Sequence, residues 1–552
     1  MKTKKLIYSI IIITIIKFIF TLFISTPTIY SDEYVYIKTA QSFFQNLNFD
    51  VHNLRILNYP PFYSILLSIT FIFNDVKIAY IFMKLLNAIF SSLIFIPAYL
   101  ISRDFLDEKK STLVSLIIAI LPMSFAFTPY IMSENIFYTL FLFSIYFIYR
   151  SFTEKKYIYD ILAGIFIGLC FLTRFAGVSL VFIVIALFIY KLIKKEYSEI
   201  NKKLVMGLIV LLVIFPWIIR NIINFGFSIS GFLGHYTGEI TNQSTYYFRS
   251  LMFWIITYLS YLWIAALIIF PVFLLSNLKE KFKDPKMKIL LLLTFITITI
   301  VIFGASQHAA KGYVKEKLLI PEINGRSIGR YVDTALPIII ILGLISYYKY
   351  NNKKQIKKLF LISAIPAIIS SQLLFFKLFP VNNISLTLFG VIDFIIETLI
   401  NKITAIIIVT ILILILIAIA CKLYNNKKLI PIIFLIFILT GITSLAITSY
   451  SSKIWENNPQ VKLSEWINDN IPKTAKILID EDYCGIFNKE NIDVLCPKGK
   501  STALTALWIT NTVFIDKINS NNYDYIITKK QLSLEVIKKT ENDIYLYKTK
   551  TI

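Results

Sequence analysis

Apolar runs long enough to cross a bilayer recur along most of this chain, and that feature decides what it folds into. About 20 apolar residues span a hydrocarbon core about 30 Å thick as a helix, the one single-segment structure that satisfies its own backbone there. Runs of this kind fall at 6–24, 77–101, 112–131, 134–150, 158–173, 175–192, 204–221, 251–276, 288–304, 332–348, 358–376, 402–421 and 430–449. That makes thirteen in 552 residues. The chain is 57% hydrophobic and 16% charged, where soluble domains hold about 45–50% and about 25%. A soluble enzyme is excluded, and the expected fold class is an all-α polytopic membrane protein.

The net charge of +23 would suggest nucleic acid in a soluble protein. Here the cations sit in short loops between apolar runs, which is how membrane orientation is set, so no nucleic-acid partner is expected. The loops Arg103–Lys110, Arg150–Lys156, Lys191–Lys203, Lys279–Lys288, Lys349–Lys358 and Lys422–Lys428 all follow even-numbered spans. With a cytoplasmic N-terminus every one of them is cytoplasmic. The run 6–24 follows Met1-Lys2-Thr3-Lys4-Lys5, is too long for a signal-peptide core and lacks a cleavage site, so it reads as an uncleaved first span. The segment 385–400 carries Asp393 and Glu397, and counting it as a span would put Lys422–Lys428 outside; it reads as an interfacial or re-entrant helix.

Two stretches lie outside the membrane on the far side. The loop 26–75 holds a helical amphipathic pattern at Tyr36–Leu47 and an apolar stretch of only 13 residues, Pro61–Phe73, suited to lying in the interface. From 450 to 552 the character changes: Leu463–Asn468 reads as helix, and Ala475–Asp480, Tyr523–Thr528 and Ile544–Lys548 as strands. The expected organisation is a transmembrane domain, 1–449, and a small C-terminal extracytoplasmic α/β domain, 450–552.

Asp32-Glu33 stands just beyond the first span, where a carboxylate can act as a general base or simply be solvated. Arg174, Arg220, Arg326 and Arg330 fall on the same side, at or near span ends. Arginine beside hydrocarbon is costly and takes a partner, either a lipid headgroup by snorkelling or a substrate phosphate, which guanidinium grips bidentately. Asn58-Tyr59-Pro60-Pro61-Phe62-Tyr63 then steps into the short apolar helix, Pro being well placed at a helix start.

An external Asp-Glu followed by a Tyr-Pro-Pro-aromatic-Tyr step resembles the GT-C glycosyltransferases, of the dolichyl-phosphate-mannose–protein mannosyltransferase and lipid A aminoarabinose transferase type. Leu162–Leu169 running into Leu172-Thr173-Arg174, Pro216-Trp217 to Arg220-Asn221 with Gly226, Gly329-Arg330-Tyr331 before Ala335-Leu336-Pro337, and Ser133-Glu134 opening span four are similar to patches of that superfamily in the same order. Helix packing alone accounts equally for the glycines 164 and 168. The resemblance runs from residue 1 to about 348 and implies transfer of a sugar, with inversion, from a polyprenyl (dolichyl or undecaprenyl) phosphate carrier to a hydroxyl on a glycan, lipid or protein at the extracytoplasmic face.

By that resemblance Asp32 is the base, and Glu33 positions the acceptor or tunes Asp32. Arg174, Arg220 and Arg330, with Arg326 as substitute for the last, hold the donor phosphate. Tyr59, Tyr63, His52 and Glu134 line the site, and His235 and His308 are placed to touch the sugar. Tyr59 stands where the protein mannosyltransferases often have His, and the Trp-Trp-Asp-Tyr-Gly stretch of oligosaccharyltransferases is missing, so transfer to asparagine is disfavoured.

No metal is assigned: three histidines stand without zinc spacing, although the resemblance leaves room for a divalent ion between Asp32 and a phosphate. Cys484 and Cys496 are either a disulfide of an external domain or two reduced thiols. Asn242-Gln243-Ser244 and Asn383-Ile384-Ser385 are sequons. The rival classes are a transporter or lipid flippase, which would show related halves, and a non-catalytic scaffold, in which Asp32 is dispensable.

Overall fold

The computed structural model describes residues 3–24, 31–51, 54–55, 59–154, 156–195, 200–227, 247–310, 314–315, 322–323, 328–350, 352–374, 382–426, 428–457, 459–480, 509, 511, 513–518 and 523–549. Each of the thirteen apolar runs carries helix. Among the described residues, eight helices are long and apolar enough to cross a membrane by length and composition. The other runs differ for local reasons. Run 112–131 breaks at Leu121-Pro122, between helices Glu108–Ala119 and Pro122–Phe125. Run 332–348 becomes regular α-helix only at Leu336, and helix Lys353–Leu374 opens on Lys353, Lys354, Lys357 and Lys358.

Run 251–276 breaks where Leu267 and Ile268 take positive φ, 54° and 62°, which apolar L side chains adopt at a cost. Helix Tyr247–Ala265 ends there and Ile269–Leu275 begins. The segment 385–400 contains helix Thr387–Leu399, 13 residues and too short to span.

Burial shows which faces meet hydrocarbon. Along helix Lys402–Leu423, Ile403, Ile407, Ile411, Ile415 and Ile419 are exposed while Ala405, Val409, Ile413 and Ile417 are buried. A helix apolar on both stripes, with one stripe against protein, has lipid as the natural solvent for the other. Among the buried lysines, Lys17 and Lys84 hold the first helix to its neighbours. Lys17 donates to Ser91 Oγ (3.1 Å) and Ser124 Oγ (2.8 Å), and Lys84 donates to the carbonyls of Thr21 (3.2 Å) and Ile24. Lys84 thereby closes the C-terminal end of helix Thr3–Thr21.

Helix Tyr157–Thr173 approaches helix Ile200–Phe225 closely through its glycines. A Cβ at Gly168 would stand 2.6 Å from Val213 Cγ1, and one at Gly164 2.8 Å from the Met206 carbonyl. Gly168→Val is therefore expected to cost about 1–3 kcal/mol by overpacking, read as a lowered thermal midpoint in detergent. Gly207→Ala, whose Cβ meets nothing within 4 Å, is the neutral control.

The C-terminal residues form a five-stranded sheet: β1 (Ile477–Asp480), β2 (Val513–Asp516), β3 (Tyr525–Thr528), β4 (Glu535–Lys539) and β5 (Tyr545–Lys548), in the order β2-β1-β3-β5-β4. β1 runs parallel to β2 and β3, and β5 antiparallel to β3 and β4. Alternation of period two sends Leu478, Ile526, Tyr545 and Tyr547 to one face and Ile477, Ile479, Ile527 and Leu546 to the other. The latter joins Val461, Leu463 and Ile467 of helix Pro459–Asn470. Strands β1, β3 and β5 and that helix coincide with the sequence expectation. β2 and β4 lie outside that expectation; β4, an exposed edge strand, reads in sequence as a polar loop, Glu-Val-Ile-Lys-Lys.

Candidate active site

The site grows from the start of helix Ser31–Asn46, which places Asp32 and Glu33 in its first turn, where the helix dipole favours carboxylates. Neighbours on a helix diverge by about 100°, so the two acids have different surroundings. Glu33 is fully buried and its Oε1 accepts the backbone N–H of Ile131 at 2.6 Å. Tyr36, one turn on, shares a 2.7 Å hydrogen bond with Ser133 Oγ. These two contacts bolt the helix to the turn Ile131–Ser133 that opens helix Glu134–Thr153, and so fix Glu134 at that helix's first position.

Asp32 faces the other way. Its Oδ1 accepts from the Tyr59 hydroxyl at 2.9 Å, and its Oδ2 lies 3.3 Å from Arg330 Nη2. Arg330 Nη1 reaches Glu134 Oε1 at 3.4 Å, and the same oxygen is paired with Arg174. The result is an alternating chain, Asp32–Arg330–Glu134–Arg174, two carboxylates and two guanidiniums with no net charge. Side-chain exposure falls from 23% at Asp32 through 10% at Arg330 to 1% at Glu134. Buried charges persist when paired and hydrogen-bonded in this way, and the exposed end of the chain is Asp32.

Each cation is held by its backbone. Arg174 caps helix Tyr157–Thr173, its N–H bonded to the Cys170 carbonyl at 3.0 Å, where the dipole welcomes positive charge. Arg330 sits in the 3₁₀ turn Gly329–Tyr331. Its N–H donates to the Asn382 carbonyl (3.1 Å), its carbonyl accepts from Tyr138 Oη (3.1 Å), and Gly329 N–H donates to Asn383 Oδ1 (3.0 Å). A Cβ at Gly329 would stand 2.1 Å from Tyr261 Cζ, so only glycine lets the turn sit there. Asn383 of the second sequon is buried in this support.

An aromatic ladder backs Asp32: Tyr36 meets Tyr59 edge-on at 5.3 Å and Tyr63 at 5.0 Å, and Tyr63 Oη donates to Asn87 Oδ1 at 2.8 Å. Burial raises the pKa of the Tyr36 hydroxyl above its ordinary value, so it stays protonated. Tyr63 has no exposed surface. Tyr331 carries Arg330 over its ring at 5.6 Å and Arg174 at 6.0 Å, and packs edge-on against His308 at 5.1 Å.

The structure thus brings Asp32, Tyr59, Glu134, Arg174 and Arg330 together, with Glu33 and Tyr63 behind them. Arg220 is placed on other groups, over Trp217 at 4.8 Å and bonded to Asn221 Oδ1 at 3.0 Å, with Phe49 edge-on to Trp217. His52, His235, Arg326, Cys484, Cys496 and Asn242 lie outside the described residues. Tyr331 was not singled out by sequence reading, although its place beside Arg330 was the available signal. Among the described residues no three His, Cys, Asp or Glu side chains converge as a metal site.

Residues 58–219 match the family model for dolichyl-phosphate-mannose-protein mannosyltransferase. The whole chain matches two solved structures of ArnT from Cupriavidus metallidurans. One, bound to undecaprenyl phosphate, superposes with a TM-score of 0.61, and the other, in the apo state, with 0.59. Each is 12% identical, with 99% of this chain and 98% of that chain covered. No curated protein matches the sequence.

Proposed function

We propose that this chain, a polytopic membrane glycosyltransferase with the GT-C fold, moves a sugar from a polyprenyl phosphate to a hydroxyl acceptor, with Asp32 as the base. The carrying observation is the chain Asp32–Arg330–Glu134–Arg174, which sets one accessible carboxylate beside two guanidiniums. The acceptor oxygen forms a bond to the anomeric carbon as its proton passes to Asp32, and the bond from that carbon to the phosphate oxygen breaks on the opposite face, inverting the centre. The departing phosphate gains a negative charge while Asp32 loses one. Arg330 lies against the group that is neutralised, and a phosphate on its other N–H groups would meet a positive charge already in place. Glu134 holds both guanidiniums to one point. Tyr59 orients the Asp32 carboxylate, and Glu33 and Tyr63 support the helix and ladder from within.

Orientation follows the loop lysines: N-terminus in the cytoplasm, site and C-terminal sheet on the extracytoplasmic face. ArnT in its undecaprenyl phosphate complex binds a lipid phosphate of the class proposed here. No step requires a metal, and Arg220, apart on Trp217, is the proposed contact for a more distant part of the donor phosphate or lipid.

The test is transfer of radiolabelled sugar from a panel of polyprenyl-phosphate sugars in membranes carrying the full chain. Accumulation of labelled acceptor with at least one donor is expected, and none with any donor overturns the reading. A companion prediction concerns Gly329. Gly329→Ala forces Tyr261 or the Arg330 turn to move, and a displacement of about 1 Å at a reacting group costs on the order of 100-fold in rate. Gly329→Ala paired with Tyr261→Leu is expected to regain much of it in the same assay.

A further inference from the structure

The N-terminal part of helix Ser31–Asn46 is enclosed on all sides: every residue from Glu33 to Gln41 is buried, including Lys38, Thr39 and Gln41, and the last turn reaches solvent. An amphipathic helix normally leaves its polar stripe in water, so something covers that stripe here. Lys38, 7% exposed, shows what it is. Its ammonium donates to the carbonyl of Ile509 at 2.8 Å and to Gln41 Oε1 at 3.1 Å. Among the described residues no carboxylate is paired with it, and neither acceptor titrates. A buried ammonium is tolerable only with such bonds in place.

Ile509 is in turn tied to the sheet. Two residues on, Asn511 Nδ2 donates to the carbonyls of Pro472 (2.6 Å) and Ala475 (3.2 Å), at the entry to β1, and β2 starts at Val513. Asp32 and Lys38 share one rigid helix about 9 Å apart along its axis. A shift of the chain at Ile509 therefore moves the start of the helix as well.

We propose that Lys38 is a positioning residue that locks the Asp32-bearing helix to the C-terminal sheet, so that the sheet sets where the base stands. This rests on Asp32 being the base. The lock is charge-assisted, and burial lowers the Lys38 pKa to about 7. The ammonium is present below that pH and lost as pH rises through it, which leaves a weaker neutral donor.

The experiment compares Lys38→Met and Lys38→Arg in the full chain, by transfer kinetics and by hydrogen exchange. Lys38→Met is expected to lower kcat at least tenfold with donor KM within twofold, and to speed amide exchange across 31–46 while helix Glu134–Thr153 is unchanged. Lys38→Arg keeps most of the activity and loses the fall in kcat that wild type shows above about pH 7. Unchanged exchange at 31–46 in Lys38→Met overturns the lock even if no donor is turned over. A raised donor KM at unchanged kcat overturns it too, as does an alkaline fall common to wild type and Lys38→Arg. Wild type inactive with every donor, but with the exchange difference present, removes the enzymatic reading and leaves the lock standing.

Discussion

Asp32→Asn is expected to lower sugar transfer at least about 100-fold, the scale of a lost general base, with the protein folded and donor KM little changed. The substitution keeps the size of the side chain and its acceptor oxygen for Tyr59, 2.9 Å away, and removes the charge and the ability to take a proton. Asp32 is the most exposed member of the charge chain, so the loss falls on chemistry before packing. Glu33→Gln is the contrasting variant. Its carboxylate is fully buried on the Ile131 N–H, so its loss should appear as a lower thermal midpoint with kcat following the folded fraction. Initial rates with purified donor, normalised to folded protein, separate the two. Transfer unaffected by Asp32→Asn would remove Asp32 from the mechanism.

Arg330→Met carries the second large effect, a fall of about 100–1,000-fold in kcat, as for other preorganised donors at a developing oxyanion. The same guanidinium contacts Asp32 and Glu134, so its removal also leaves Glu134 with one cation in place of two. Because Arg330 and Asp32 act on the two ends of one charge transfer, their effects should not multiply: Asp32→Asn with Arg330→Met is expected within about tenfold of the slower single variant. Losses that multiply fully would mean that the two residues act in separate steps. Arg330→Lys keeps the charge but cannot present a fork to both carboxylates, and is expected to stay at least tenfold below wild type.

The helices were legible because hydrocarbon imposes one requirement, a continuous apolar run, and that is a local property. Their interruptions were less so. Leu121-Pro122 breaks a run by losing a donor, while Leu267 and Ile268, both buried, break one with residues that favour helix elsewhere.

At the site, Asp32 and the arginines stood out because charge next to lipid must have a partner. Which partner each has is a matter of contacts between residues far apart in the chain, up to 298 positions for Asp32 and Arg330. Glu134, read as a substrate-lining residue, is the carboxylate shared by Arg174 and Arg330. Asp32 and Glu33 are adjacent in sequence yet part company because a helix begins at Ser31 and turns one outward and the other into the bundle.

The sequence by itself determined that this chain lives in a membrane, how many apolar runs it has, and which residue types are too costly there to be idle. All of these follow from transfer free energies summed over neighbouring residues. The tertiary structure decided which charges neutralise which, and that the Asp32 helix is clasped by Ile509 from the far end of the chain. Pairing energies depend on distance and burial, and both are set only once distant segments have packed.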